Sequence, residues 1–201
     1  MQSNLIGVIL LAAGASVRLG KAKQLLEFRN QTLLRRSAET AQQISARVVV
    51  TLGAQSEITR REIEDLPVSI AENKDWEAGM SSSVKIGLEK LLETNEKLDG
   101  VIIMVCDQPF ISGELLKKIV AEYEKTNAPI VACEYENILG VPALFAAKLF
   151  PELLALESEH GAKYLIKKHR SETVSVSFPE GAFDIDTLAD YERLLEFGDK
   201  F

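Results

Sequence analysis

The segment AAGASVRLGKAK, residues 12–23, places Ala12, Ala13 and Gly14 ahead of three cations, Arg18, Lys21 and Lys23. Small side chains let a ligand approach the backbone N–H groups closely, and Gly14 can adopt a positive φ. The first 26 residues contain no Asp or Glu, so the positive charge is uncancelled. That combination suits a polyphosphate, because backbone donors hold its oxygens while Lys and Arg neutralise them. It is not a Walker A loop: five residues separate Gly14 from Gly20, and Ala22 follows Lys21 where Ser or Thr is needed. It is not G-x-G-x-x-G either. The same residues can also make an ordinary turn with surface lysines.

Two carboxylate segments lie far along the chain. Asp107, in CDQP, follows an apolar run and precedes the strand-ending Pro109. A carboxylate there can bind Mg²⁺, which takes one or two carboxylates plus phosphate oxygens and water. In FDIDT, Asp184 and Asp186 are two residues apart and would share one face of an extended segment. Either can complete a metal site. Each acid also has a plainer role open to it, capping the turn or helix that follows. A fourth segment, EAGMSSSV, feeds a helix N-terminus. Its residues Gly79, Met80, Ser81, Ser82 and Ser83 offer N–H groups and hydroxyls to a base, a ribose or a phosphate, or a simple serine cap.

The elements that must position these residues alternate between β-type apolar runs and amphipathic segments. Strands are expected at 5–12, 46–52, 68–71, 100–106, 128–135, 141–145 and 173–178. Helices are expected at 31–44, 56–66 (capped by Ser56), 81–93, 112–125 (capped by Ser112), 146–156, 160–169 and 187–197. The pattern predicts one three-layer α/β/α domain over residues 1–201, with a mostly parallel Rossmann-like sheet. In such sheets ligands bind at the carboxyl ends of strands, where residues 12–23 and 106–109 begin.

Bulk properties narrow the partners. The chain has 201 residues, 46% of them hydrophobic, and a formal net charge of −7. An acidic chain gains little from a nucleic-acid backbone, so no nucleic-acid partner is expected. The apolar run ending at Ala13-Gly14-Ala15 imitates an export signal. MQSN lacks the positive start such a signal needs, and the run is too short to span a membrane. The expected location is cytoplasmic, with no membrane partner. Cys106 and Cys133 form neither a disulfide framework nor a zinc signature and read as buried thiols. His160 and His169 read as surface residues, and Trp76 as packing.

In order, LAAGASVRLGKAKQLL, GMSSSV, CDQPFIS, GVPALF and FDIDTLADY resemble the molybdenum cofactor nucleotidyltransferases, and within them the cytidylyltransferases. Leu11, Ala12, Ala13, Gly14, Ser16, Arg18, Gly20 and Lys23 fill the pattern L-A-A-G-x-S-x-R-x-G-x-x-K. The resemblance runs from Ile6 to Tyr191. It implies a nucleotidyltransferase fold and Mg²⁺-dependent transfer of CMP from CTP to the phosphate of molybdopterin, with a client molybdoenzyme as a further partner. It gives Leu11, Ala12, Ala13 and Gly14 the nucleotide, Arg18 and Lys23 its phosphates, and Gly79–Ser83 the base and ribose. Asp107 and Asp186 would hold the metal, with Asp184 behind them. Arg18, Lys23 and Asp107 would carry catalysis. Ala13 favours CTP over GTP. GTP, another phosphorylated acceptor, and a non-catalytic cofactor carrier are the alternatives. Two departures fall on the acceptor side: Gly140-Val141-Pro142 replaces G-H-P, and Ser158-Glu159-His160-Gly161-Ala162 replaces G-D-x-G-A.

Overall fold

A computed structural model of the protein describes residues 5–16, 19–93, 97–157 and 160–198. Arg18, Ser158 and Glu159, singled out above, lie outside the described residues. Seven strands form the main sheet: β1 (Ile6–Ala12), β4 (Val48–Leu52), β5 (Ser69–Glu72), β6 (Gly100–Val105), β7 (Ile130–Tyr135), β8 (Ile138–Ala146) and β9 (Thr173–Ser177). A two-stranded ribbon, β2 (Glu27–Phe28) with β3 (Gln31–Thr32), stands apart. The order across the main sheet is β5-β4-β1-β6-β8-β7-β9. Every neighbouring pair is parallel except those involving β8, which runs antiparallel to both β6 and β7. β1 and β6 are therefore adjacent, central and co-directional, so their carboxyl ends emerge side by side.

Their sequences require that position. Every residue of β1 is buried, and Val8, Ile9, Leu10, Ile102 and Ile103 have no exposure at all. A strand apolar on both faces needs cover on both. Helices α1 (Leu33–Gln42) and α4 (Gly113–Thr126) supply Leu34, Ala38, Leu116 and Ile119 to one face. Helices α3 (Met80–Leu92), α5 (Phe150–Leu154) and α6 (Ala162–Lys168) supply Val84, Leu88, Leu153 and Leu165 to the other. The fold is the expected three-layer α/β/α arrangement around a mostly parallel sheet. No helix among the described residues is long and apolar enough to cross a membrane.

Several elements differ in extent from the expectation. Only Ser56–Arg60 of the 56–66 stretch is α-helical (α2), with turns beyond it. Ser56 is not its cap: the hydroxyl donates to Glu72 at the end of β5. The 146–156 segment becomes a 3₁₀ turn over Ala147–Leu149 followed by the short α5, where Pro151 opens the first turn. β8 begins three residues earlier than the run VPALF. Glu136 and Asn137, at φ 49° and 62°, turn the chain tightly from β7 into β8. Ser112 does cap α4, accepting from the Leu115 N–H at 3.2 Å.

Candidate active site

The loop after β1 is held from two directions. Gln24 is 2% exposed and donates through Nε2 to the carbonyls of both Ala12 and Gly14, each at 2.9 Å. The intervening Ala13 carbonyl accepts from the Ala54 N–H at 3.2 Å. This contact needs Gly53 at the end of β4, where a Cβ would stand 2.5 Å from the Ala13 oxygen. Three successive carbonyls thus have protein donors, and none is left to repel an anion. Among the described residues, the N–H groups of Gly14 and Ala15 have no protein acceptor. Ser16, at φ 54°, turns the chain and accepts from the Lys23 N–H at 3.0 Å, fixing where Lys23 starts.

Lys23 reaches across to the end of β6. Its Nζ lies 2.5 Å from Asp107 Oδ2 and 3.4 Å from Asp186 Oδ1. Burial by itself would lower the Lys23 pKa. The charge and hydrogen bond of Asp107, with smaller effects of Cys106 and Asp186, outweigh it and hold the ammonium above its ordinary value. Both acids are thereby drawn from their plainer roles. Ser112 caps the helix after Asp107. Thr187 and Asp190 cap α7 (Leu188–Gly198) reciprocally: Asp190 accepts from the Thr187 N–H, and Thr187 Oγ1 from the Asp190 N–H. The Ile185 N–H donates to the Asp107 carbonyl at 3.0 Å, which ties the two acidic segments together. Ile185 is fully buried against Leu26 and Phe28, so Asp184 and Asp186 face away from that cluster, as period-two alternation requires.

Two cavities meet at Asp107. The first, about 410 Å³, runs from Leu11, Ala12, Ala13 and Gly14 past Lys23 and Gln24 to Trp76, Gly79, Met80 and Ser83. The second, about 320 Å³, is lined by Gln108, Tyr135, Val141, Gly161, Lys163 and Asp184. Met80, Val105 and Asp107 border both. Partial withdrawal from water, then the nearby charges of Asp107 and Asp186, raise the Asp184 pKa. Asp107 and Asp186 converge on Lys23, and Asp184 stands in the second cavity with Lys163. No group of three or more acidic, His or Cys side chains that could hold a metal by itself occurs among the described residues. Asp107 and Asp186 already converge on one cation, the Lys23 ammonium, and supply two hard oxygens. That donor set fits Mg²⁺ completed by nucleotide phosphate oxygens.

The serine loop is placed differently from its three hydroxyls' promise. Gly79, at φ 100°, starts α3 in a backbone conformation side chains avoid. Gly79, Met80 and Ser83 line the first cavity, while Ser81 is buried away from it. Ser82 donates to the Gly79 carbonyl at 2.7 Å, and Asn73 donates to both Ser82 and Ser83. Lys21 also leaves the loop, its ammonium lying 5.2 Å from the centre of the Tyr191 ring. Trp76 lines the cavity rather than only packing. His169 is half-buried and paired with Glu152, not a bare surface histidine. Cys106 and Cys133 are buried free thiols. Gln24, Gly53 and Tyr135 carry no signal along the sequence: Gln24 gains its partners only when the chain folds back beneath the loop, and Gly53 and Tyr135 only when separate strands are brought together.

Residues 8–174 match the family described as the MobA-like NTP transferase domain. The chain belongs to that family. It is a nucleotidyltransferase, and Asp107 lies where the two cavities of this MobA-like enzyme meet. Its relatives carry diverse names. It is 28% identical to nicotine blue oxidoreductase of Paenarthrobacter nicotinovorans over 93% of this chain and 95% of that protein. It is 22% identical to the molybdenum cofactor cytidylyltransferase of Escherichia coli K12 over 92% and 93%. The crystal structure of Rv0371c in complex with manganese, from Mycobacterium tuberculosis H37Rv, superposes with a TM-score of 0.72 at 28% identity, covering 96% of this chain and 99% of that one.

Proposed function

We propose that this MobA-like enzyme transfers CMP from CTP to the terminal phosphate of molybdopterin or its metal-loaded form. The observation that carries the reading is the pair of cavities meeting at Asp107, one lined by the phosphate-type loop and the other by Gln108, Tyr135, Val141 and Lys163. The cytidylyltransferase relative and the Leu11–Gly14 sequence support CTP as donor. The manganese-bound relative supports a divalent ion, here Mg²⁺, held by Asp107 and Asp186.

An oxygen of the acceptor phosphate attacks the α-phosphorus of CTP. The new P–O bond forms as the bond to the bridging α–β oxygen breaks, and pyrophosphate leaves with that electron pair. The acceptor phosphate is already ionised, so no protein nucleophile or base is required. The Gly14 and Ala15 amides hold phosphate oxygens, and Lys23 and Arg18 neutralise charge that builds on the α-phosphate and the leaving group. Asp107 and Asp186 would hold the divalent ion, which would supply positive charge to the reacting phosphates. The two cavities align the reactants on either side of Asp107, which lowers the entropic cost of their meeting. The buried thiols fit a reducing cytoplasm, and a molybdoenzyme would receive the product.

A different phosphorylated acceptor is the second reading, and Val141 favours it. It places an aliphatic side chain in the acceptor cavity where the resemblance leads to His. Pyrophosphate release with CTP, GTP, UTP and ATP, each alone, with molybdopterin, and with a sugar or alcohol phosphate, tests both readings. Release with CTP alone, and only with molybdopterin, is expected. Release with CTP on a sugar or alcohol phosphate instead would shift the acceptor; no release under any pairing would overturn transfer.

A further inference from the structure

We infer that Gln24 is the positioning residue of the nucleotide loop: it holds the loop carbonyls so that the loop amides can meet phosphate. This rests on the nucleotide reading above and assigns it a residue that acts through the loop carbonyls. Gln24 follows Lys23 in a 3₁₀ turn, Lys23–Leu25, and its side chain is buried while Lys23 points to Asp107. Both hydrogens of its amide are spent on one loop, at the Ala12 and Gly14 carbonyls.

A peptide loop can present either oxygens or N–H groups to a ligand, and a phosphate accepts only the latter. In a three-residue turn of small side chains, nothing local decides which. Here the Ala13 carbonyl is taken by Ala54, and Gln24 is the side chain that donates to both flanking carbonyls, Ala12 at the paired end of β1 and Gly14 beyond the ladder. An apolar residue at 24 would leave the Gly14 carbonyl without its donor, and the Ala12 carbonyl with one donor fewer, beside the cavity. The loop would then gain by rotating its peptides toward water, which turns oxygens toward the phosphate position. A carboxylate at 24 would be worse, since it has no donors and adds negative charge.

Gln24 therefore sets affinity for the triphosphate whatever base it carries, and leaves the acceptor cavity untouched. The turn also links the two halves of the site: Lys23 reaches the carboxylates of Asp107 and Asp186, and Gln24 reaches the β1 loop, from adjacent backbone positions.

The test compares wild-type protein with Gln24→Met and Gln24→Glu. The single tryptophan, Trp76, lines the nucleotide cavity, so its fluorescence reads binding of CTP and GTP in Mg²⁺. Both variants should bind both nucleotides at least about tenfold more weakly, by a similar factor for each base. The KM for nucleotide should rise more than kcat falls, with the acceptor KM unchanged. A merely structural role would lower the melting point and the active fraction but leave nucleotide affinity intact. Gln24→Glu keeps the shape of the side chain and serves if the Met variant does not fold. Affinities within twofold of wild type in either folded variant would overturn the role of Gln24. Wild-type protein that binds no nucleoside triphosphate would instead overturn the nucleotide reading.

Discussion

The Lys23 ammonium stands 2.5 Å from Asp107, 84 residues later in the chain, with both side chains about four-fifths withdrawn from water. The pair spans the gap between the β1 loop and the end of β6. It holds each residue in place against the other, and under the proposed function both also meet the nucleotide and its metal. Lys23→Ala and Asp107→Ala are each expected to cost about 100- to 1,000-fold in turnover, the scale of losing one preorganised electrostatic group. The double variant should be little worse than either single one, because each already breaks the shared unit. Steady-state rates of folded variants check this, and near-normal turnover in both singles would remove the pair from the mechanism.

Gly53 is required by close approach. A Cβ there would meet the Ala13 oxygen and carbon, and stand 2.9 Å from the Trp76 Cβ. Gly53→Ala should therefore displace the loop and the aromatic wall together. Overpacking of this kind costs roughly 1–3 kcal/mol. Urea unfolding should show that loss, and the CTP dissociation constant should rise in the folded variant. Unaltered affinity would mean that the loop position does not matter.

The carboxylate crowding has a pH signature. The Asp184 pKa is raised by partial burial and by Asp107 and Asp186. The folded protein thus holds this proton more tightly than the unfolded chain does. Stability on this account falls as pH rises from the ordinary carboxylate range through the raised value. Asp184→Asn removes the penalty, so its melting point in metal-free buffer should exceed wild type at pH 8, and the gain should shrink as the pH is lowered toward 4. A lower melting point at pH 8 would contradict the crowding.

The thiols should be silent. Burial pushes Cys106 up to about 12, with Asp107 adding to it, and burial pushes Cys133 to about 12 as well. At pH 8 only about one molecule in 10⁴ would carry a given thiolate. A chromogenic thiol reagent should find no fast-reacting cysteine in the native protein and two after denaturation. One rapid equivalent from the native protein would show that Cys106 is open to the cavity it borders.

Much of this site is legible along the chain because its signals are local. The β1 run is near-continuously apolar, which marks a buried strand over the export signal it imitates. Asp107 follows the other such run, which places it at the same sheet end. What was not legible depends on placement across the fold. Gln24 looks like any polar residue in a basic stretch, and only the return of the chain beneath the loop gives it two carbonyl partners. Gly53 acquires its meaning from β4 lying beside β1. The serines of α3 looked like ligand donors because their hydroxyls cluster, yet Asn73, nine and ten residues earlier, engages two of them.

The central claim is that the two cavities join a nucleotide to a phosphorylated acceptor across Asp107. Mass spectrometry of the product formed from CTP, Mg²⁺ and molybdopterin tests it most directly. The account predicts a product heavier than molybdopterin by one cytidylyl group, made by wild-type protein and lost with Asp107→Ala. Unchanged molybdopterin with wild-type protein, or equal product from the Asp107→Ala variant, would contradict it.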